Sequence, residues 1–432
     1  MNVPVIHAAA RAALTRETLK QLEGVPLSTF LSRQRWFSAK HDATTATFGT
    51  IVPLFPTCDA VLALIHVRDT HKSAIASYFV PMALTQSPVN EQVVIARLTT
   101  SGGILAIVDA VHDASFRQSL IGYVGDERSF TNEGTQVHFR RYADLGTDSG
   151  PMTSKVSTAQ QTNTSIIYGD AIIVKLFREL AMGVNPDIEI GAYLAERHST
   201  VTPAFVGSGT IDGDRGPSAL LMAQRLVPGA RDCWEYVTDR LYELGGGASM
   251  PFIDEAARLG RTTRQMHEDL AAETDNDAFR PVRGTREDLE RWCSTIRHEL
   301  ADTTALLQRT DMGRYKHQSI IAQGVGDVLE HADALQHDLT ILENVSNSDI
   351  GLTIRHHGDY HLGQVLRDPN GTFYIIDFEG EPARPLAERR AMHSALRDVA
   401  GMMRSFAYAA SSAAIAQSAT DDWSAVLQRA EA

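Results

Sequence analysis

Short β-type runs fill the first half of this 432-residue chain, and long helical patterns replace them after Pro228. Apolar stretches of strand length, such as 61–67 and 171–176, alternate with turns in the first half. A strand-rich segment followed by a helix-rich one predicts an α+β protein of two lobes with a cleft between them. The segments whose apolar residues recur at helical spacing are 252–273, 286–309, 317–343 and about 385–417.

Charge and cysteine content narrow the function classes. The formal net charge of −13 argues against nucleic acid as a partner. Three cysteines, none in a C-x-x-C pair, argue against zinc and fit a reducing compartment. The chain has no apolar stretch of about 18 residues, and its start does not read as a signal peptide. Together these features predict a cytoplasmic enzyme with no membrane span.

The densest group of chemically active residues is the run 357–364, His-Gly-Asp-Tyr-His-Leu-Gly-Gln. Gly358 permits a sharp backbone turn, which would present Asp359 to a substrate hydroxyl as a proton acceptor. Two short apolar runs around a turn at 368–371 predict a hairpin that brings Gln364 beside Asp377. Their oxygen atoms would then bind Mg²⁺ on the phosphates of ATP.

This order of motifs parallels the H-R-D-L-x-x-x-N and D-F-G motifs of protein kinases. Asp359 and Gln364 are five positions apart, as the aspartate and asparagine of that template are. Either motif alone would favour an ordinary acidic hairpin, but the two together at hairpin spacing favour a catalytic one.

Phosphates also need a cation, and Lys175 follows the apolar run 171–174 as the lysine of V-A-I-K does. Glu189 stands near the start of a predicted helix that has Pro186 in its first turn, and we predict an ion pair between it and Lys175. A solvated strand end is the alternative interpretation of Lys175.

A polar run stands where a glycine-rich phosphate loop would precede this strand. Its side chains and backbone amides would cover the phosphates, although such a run is by itself also typical of a simple turn. The residues proposed for this role are Gln161, Asn163, Thr164 and Ser165.

These motifs, in order over nearly the whole chain, resemble those of maltokinases and glucosamine kinases, within the aminoglycoside-phosphotransferase-like kinases. The resemblance rests on 33–37, 161–165, 175–177, 185–187, 227–228, 234–236, 357–364, 377–382, 384–386 and 396–401. It implies a bilobal protein-kinase-like fold with an N-terminal cap at 1–133, a strand-rich N-lobe at 134–226 and a helical C-lobe at 227–432. It also implies ATP and Mg²⁺, with Asp359 as the catalytic base and with Gln364 and Asp377 as metal ligands.

The same resemblance predicts a sugar acceptor, with maltose favoured and glucosamine as the alternative. A non-catalytic module tethered to a trehalose-metabolising partner is a further alternative, against which the intact catalytic residues argue. His267 is interpreted as a core histidine or as one that braces the catalytic loop. The residues proposed for the acceptor site are Glu379, Glu381, Arg384, Arg397 and Asp398.

Overall fold

The computed structural model divides the chain into two compact units. One comprises residues 1–230 and 368–389, and the other comprises residues 231–367 and 390–432. The segment that carries Asp377 therefore packs within the strand-rich unit. The structure describes residues 3–7, 14–38, 44–54, 59–69, 75–86, 88, 90–100, 103–146, 152–157, 162–213, 215–243, 252–310 and 318–417.

The first fifteen described strands, all in the first unit, form two sheets. In chain order the first fifteen strands are β1 Val5–His7, β2 Thr44–Pro53, β3 Ala60–Asp69, β4 Ile75–Phe79, β5 Met82–Thr85, β6 Val94–Thr100, β7 Gly103–Asp109, β8 Ser129–Asn132, β9 Thr135–Arg141, β10 Ser154–Val156, β11 Thr164–Tyr168, β12 Ile172–Leu176, β13 Glu179–Leu180, β14 Phe205–Gly213 and β15 Gly216–Arg225. The described strands that follow are β16 Arg231–Asp232, β17 Val282–Arg283, β18 Leu352–Thr353, β19 Val365–Arg367 and β20 Phe373–Ile375.

The first sheet has the order β1-β6-β7-β5-β3-β4-β13, with β2 paired to β3. The second has the order β10-β11-β12-β15-β14-β9-β8. Strand β12 belongs to the second sheet and the next strand, β13, belongs to the first, so the chain changes sheets at Phe177-Arg178. One apolar core runs beneath both sheets, from Leu62 and Phe79 to Ile166 and Leu221.

A tight hairpin turns at Gly169-Asp170. Strands β11 and β12 pair antiparallel, with Ser165 opposite Lys175. Gly169 has a φ of 53°, a conformation that glycine adopts without the clash of a Cβ atom. The hairpin fixes Lys175 on the second sheet, directly across from the polar run at 162–165.

The described helices are α1 Arg16–Lys20, α2 Val25–Ser32, α3 Ala114–Gly125, α4 Pro186–Glu196, α5 Cys233–Glu243, α6 Phe252–Leu270, α7 Arg286–Arg309, α8 Gln318–Glu343, α9 Leu386–Arg389 and α10 Leu396–Gln417. The helix predicted at 286–309 is confirmed at both ends, since α7 has the same bounds. Thr285 and Asp288 form a capping box that fixes its start. The helix predicted at 385–417 is instead two helices, since His393 forms a β-bridge with Ile354 between them. None of the helices within the described ranges is both long and apolar enough to cross a membrane.

Candidate functional site

Lys175 lies within a group of three carboxylates in the first unit. Its Nζ atom is 3.0 Å from Asp187 Oδ2 and 2.5 Å from Glu379 Oε1, and it also donates to Asp377 Oδ1. The Lys175 side chain is about one-fifth exposed and that of Asp187 only 1%. A lysine on a strand end is thereby held by oxygen atoms from two other segments of the chain. The alternative interpretation of Lys175, a solvated strand end, does not describe this lysine.

The start of α4 explains which carboxylate reaches the lysine. Asn185 caps the helix by accepting from the backbone N–H groups of Asp187 and Ile188, and Pro186 occupies the first turn. This fixes Asp187 in the first turn, on the buried side. Glu189 lies two positions further on, about 200° around a helix of 3.6 residues per turn. The predicted Lys175–Glu189 pair is therefore corrected, because the carboxylate that α4 brings to Lys175 is that of Asp187.

Asp187 also holds the loop that carries Asp377. Its Oδ1 atom accepts the backbone N–H of Phe378 at 2.9 Å, while Oδ2 faces Lys175. Asp377 itself has a φ of 67°, in the left-handed region that a residue with a side chain seldom adopts. The hydrogen bond next to it stabilises this strained position and directs the Asp377 carboxylate towards the lysine.

The electrostatics of the group follow from burial and mutual attraction. Burial alone would lower the pKa of Lys175, but the carboxylates of Asp187, Asp377 and Glu379 raise it well above its ordinary value. Burial raises the pKa values of Asp187 and Glu379, and Lys175 opposes that shift. The lysine therefore stays charged, and negative charge is concentrated around it.

The same carboxylates suit a hard divalent cation. One oxygen atom each from Asp187, Asp377 and Glu379 lie within 4.8 Å of one another. Carboxylate oxygens are the ligands that Mg²⁺ prefers, and Mg²⁺ is commonly held by one or two of them together with phosphate oxygens. Asp377 is thus where the predicted metal site requires a charged ligand. Gln364, its predicted companion, belongs to the second unit.

The polar run at 162–165, which overlaps the start of β11, uses the side chains of Asn163 and Thr164 in hydrogen bonds within the protein. Asn163 donates from Nδ2 to Glu379 Oε1 at 3.2 Å and accepts from the Arg178 backbone at 3.4 Å. The Thr164 hydroxyl accepts from Arg178 Nε at 2.8 Å, and Ser165 is buried. Thr164 and Ser165 are also the first two residues of β11, and a phosphate-binding role for the run stays a prediction. Gln161, predicted for the same role, lies outside the described residues.

In the second unit, one buried carboxylate organises the loop around Asp359. Asp398, in the first turn of α10, accepts the backbone N–H groups of His357 and Gly358, each at 2.9 Å. His267 Nε2 on α6 donates to the same carboxylate at 2.9 Å. Burial alone would raise the pKa of Asp398, but the hydrogen bond from His267 and the nearby His356 and His357 hold it well below its usual range. Asp398 therefore stays ionised and fixes the loop.

These contacts correct one prediction and decide another. Asp398 was predicted to bind the acceptor, but its side chain is 1% exposed and is fully engaged with the loop. Its role is to hold the backbone that carries Asp359. His267, left open as a core histidine or a brace, braces that carboxylate.

The loop itself leaves Asp359 accessible. Gly358 has a φ of 82° and makes the turn that its presence predicted. The Asp359 side chain is 28% exposed and lies 4.0 Å from His361 Nε2. Gln364 ends a short 3₁₀ turn, Leu362–Gln364. His361 caps the start of this turn, because its side chain accepts the backbone N–H of Gly363.

The remaining acceptor candidates lie in both units. Glu379 is part of the lysine group, and Glu381 and Arg384 follow it in the first unit. Arg384 pairs at 3.4 Å with Glu388, which lies four residues later in α9. Arg397 is half-buried at the start of α10 in the second unit. A role in sugar binding stays a prediction for these residues.

Comparison with known proteins adds independent information. Residues 30–113 match the family model of the maltokinase N-terminal cap domain. A glucosamine kinase of Streptacidiphilus jiangxiensis is 29% identical over 329 residues, which are 70% of this chain and 69% of that protein. The chain is similar to a maltokinase cap domain and to glucosamine kinases. The resemblance predicted from its motifs is confirmed.

A second relative agrees with the first. A glucosamine kinase of Mycolicibacterium smegmatis is 28% identical over 260 residues, which are 59% of this chain and 58% of that protein. This match spans less than two thirds of the relative.

Solved structures confirm the fold. A glucosamine kinase in complex with glucosamine, ADP and inorganic phosphate superposes with a TM-score of 0.60, at 20% identity, over 94% of this chain and 84% of that one. A further glucosamine kinase structure gives a TM-score of 0.58 over 89% of this chain and 78% of that one. The predicted α+β, kinase-like fold with an N-terminal cap is confirmed. The domain boundaries at 133 and 226 stay predictions.

Sequence reasoning missed Asp187 and misjudged Asp398. For Asp187 the signal was present, because Asn185-Pro186 defines a helix start and places the next acidic residue in its first turn. For Asp398 the histidines and the loop that it contacts are distant in sequence, so no local pattern indicated the role.

Proposed function

We propose that this protein is a sugar kinase that transfers the γ-phosphoryl group of ATP to a sugar hydroxyl. The observation that carries the proposal is the Lys175 ammonium held among Asp187, Asp377 and Glu379, in a chain related to named sugar kinases. A fixed ammonium beside oxygen ligands is what the phosphates of a nucleotide–metal complex need. ADP in a structural neighbour supports ATP as the donor.

In this proposal Asp359 accepts the proton of the acceptor hydroxyl. The sugar oxygen forms a bond to the γ-phosphorus, the bond to the β,γ-bridging oxygen breaks, and ADP leaves. Asp398 and His267 keep the Asp359 loop in position through the backbone of His357 and Gly358. Lys175 holds the phosphates of the donor. Mg²⁺, when bound, supplies charge neutralisation on those phosphates, and Asp377 and Gln364 are the residues proposed to hold it.

Glucosamine is the acceptor that the relatives favour. Both named relatives are glucosamine kinases, and one structural neighbour holds glucosamine. Half-buried carboxylates soon after Asp377 in the sequence, such as Glu381, suit the ammonium group of an amino sugar. Maltose, which the sequence motifs favoured, is the second candidate, because residues 30–113 match a maltokinase cap. Association with a trehalose-metabolising enzyme stays a prediction from the resemblance.

The test is a sugar panel. Purified protein with ATP and Mg²⁺ is assayed for ADP release on glucosamine, maltose, glucose and N-acetylglucosamine, and kcat/KM is compared. We expect glucosamine to exceed N-acetylglucosamine by at least about 100-fold, because acetylation removes the positive charge. Higher efficiency with maltose would select the second candidate. Turnover with none of the sugars would overturn the proposal.

A further inference from the structure

Arg178 is among the most completely enclosed charged side chains of the first unit, with about 1% of its surface exposed. It lies three residues after Lys175, at the point where the chain leaves the second sheet at β12 and enters the first at β13. An arginine that is fully buried needs a partner for its charge and its donors. The residues that satisfy it come from both sheets.

The cap sequence supplies the charge partner and the apolar cover. Asp109, at the end of β7, accepts from Arg178 Nη2 at 2.7 Å and from Nη1 at 3.5 Å, a two-point contact. The carbonyl oxygen of Phe79 accepts from Nη1 at 3.2 Å. The Trp36 ring lies 4.7 Å from the guanidinium carbon. All three residues belong to the segment that matches the maltokinase cap model.

The kinase sheet supplies the remaining contacts. Arg178 Nε donates to the Thr164 hydroxyl at 2.8 Å, and the Arg178 backbone N–H donates to Asn163 Oδ1 at 3.4 Å. Asn163 in turn donates to Glu379, which pairs with Lys175. An unbroken series of contacts thus runs from Asp109 in the cap, through Arg178, to the polar turn and the lysine group.

We propose that the cap domain positions the phosphate-binding turn, with Asp109 and Arg178 as positioning residues. The polar run at 162–165 lacks the glycines that let other phosphate loops close over a nucleotide. Its last two residues, Thr164 and Ser165, are held in β11, so the bend before them depends on side-chain contacts for its direction. Arg178 provides those contacts through Asn163 and Thr164, and Asp109 fixes Arg178. This inference rests on the proposed kinase function for its ligand, a nucleoside triphosphate. The contacts that join Asp109, Arg178 and Thr164, called the clamp below, do not depend on which sugar is the acceptor.

The variants are chosen to separate positioning from folding. Asp109→Asn keeps the shape of the side chain and removes its charge. Thr164→Val keeps the β-branched shape and removes the acceptor of Arg178 Nε, and Thr164→Ser restores a hydroxyl. Ser208→Ala is the matched control, since it removes a buried hydroxyl from β14 of the same sheet. Thermal unfolding of all four is measured first, and Thr164→Val decides the matter if Asp109→Asn does not fold.

Two readouts then decide the proposal. Hydrogen–deuterium exchange of peptides covering 162–168 reports the order of the turn without any need for catalysis. Kinetics with ATP report its use, and we expect KM for ATP to rise about tenfold, the effect of losing one hydrogen bond to a charged group. Exchange should accelerate in Asp109→Asn and Thr164→Val, Thr164→Ser should restore slow exchange, and Ser208→Ala should match the wild type in both readouts.

The outcomes distinguish this inference from the proposed function. Faster exchange together with weaker ATP use supports the clamp. Unchanged exchange in both variants overturns it, and so does faster exchange with unchanged KM for ATP. If the wild type turns over no sugar, the proposed function fails, and calorimetric binding of ADP with Mg²⁺ replaces KM in the same comparison. Wild-type protein that binds no nucleotide overturns both.

Discussion

At the scale of single residues, the way Lys175 is held depends on which carboxylate faces it. Asp187 makes two contacts at once, one to the lysine and one to the backbone of Phe378. A buried carboxylate with both oxygens in use is costly to replace, because its partners lose their hydrogen bonds in a place that water does not reach. Glu189, on the same helix, is half-buried and does not share that position.

The first prediction compares these two residues. Asp187→Asn keeps an acceptor for the Phe378 N–H but removes the charge beside Lys175, so we expect affinity for the nucleotide–Mg²⁺ complex to fall about tenfold or more. Glu189→Gln makes the same chemical change two residues away and should alter affinity less than about threefold. Isothermal titration with ADP and Mg²⁺ measures both. A larger loss of affinity in Glu189→Gln than in Asp187→Asn would support Glu189, the residue first predicted, as the partner of Lys175.

The second prediction concerns the base. Asp359→Asn keeps the size of the side chain but cannot accept the acceptor's proton, so kcat should fall on the order of a hundred- to ten-thousand-fold. Nucleotide affinity should stay at the wild-type value. Asp254→Asn, on the exposed face of α6 in the same unit, is the control and should retain full turnover. A folded Asp359→Asn protein with normal kcat would remove Asp359 from the mechanism.

At the scale of elements, the loop that carries Asp359 depends on the start of α10 and on buried histidines. Burial lowers the pKa of His356 to about 3, although Asp398 opposes the shift, and lowers that of His393 to about 4. Arg397 adds to the lowering in both cases, and His357 and His393 add to it for His356. Both imidazoles are therefore neutral in the folded state near neutral pH.

The third prediction follows from the sign of those shifts. The unfolded chain takes up a proton near pH 6.5, whereas folded His356 does so only near 3, so stability falls as pH drops from about 6.5 towards 3. Each such histidine contributes a slope of about 1.4 kcal/mol per pH unit in that window. His356→Phe should lower the slope of unfolding free energy against pH by about that amount. His298→Phe, at an exposed histidine of α7, should not change it.

Secondary-structure elements were predicted better than the tertiary contacts that their residues make. The β11–β12 hairpin and helix α7 follow from local patterns and cap residues, and the structure has both. The break before α10 was not predicted, because it arises from a bridge between His393 and Ile354, far apart in sequence. The lysine and the Asp377 loop were identified from motif order. The helix start at Asn185-Pro186 was a local signal for Asp187, whereas Asp398 is defined by tertiary contacts that no local spacing encodes.

At the scale of the whole molecule, the residues proposed for the reaction come from both units. The lysine group that would hold the donor lies in one unit, and Asp359, the proposed base, lies in the other. As proposed above, the cap adds a third contribution through the ion pair of Asp109 and Arg178. A chain with these parts is expected to transfer the phosphoryl group to a sugar and to protect it from water, which would otherwise be the competing acceptor.

The fourth prediction follows an isotope label from ATP to the product. The protein is incubated with Mg²⁺, glucosamine and ATP whose three terminal γ-oxygens are ¹⁸O, and the products are resolved by mass spectrometry. A kinase moves the intact phosphoryl group, so the account predicts a sugar monophosphate that carries all three labelled oxygens, in amounts equal to the ADP formed. With maltose in place of glucosamine, the same label pattern would keep the account and change the acceptor. Labelled inorganic phosphate as the sole product, or no ADP with either sugar, would contradict it.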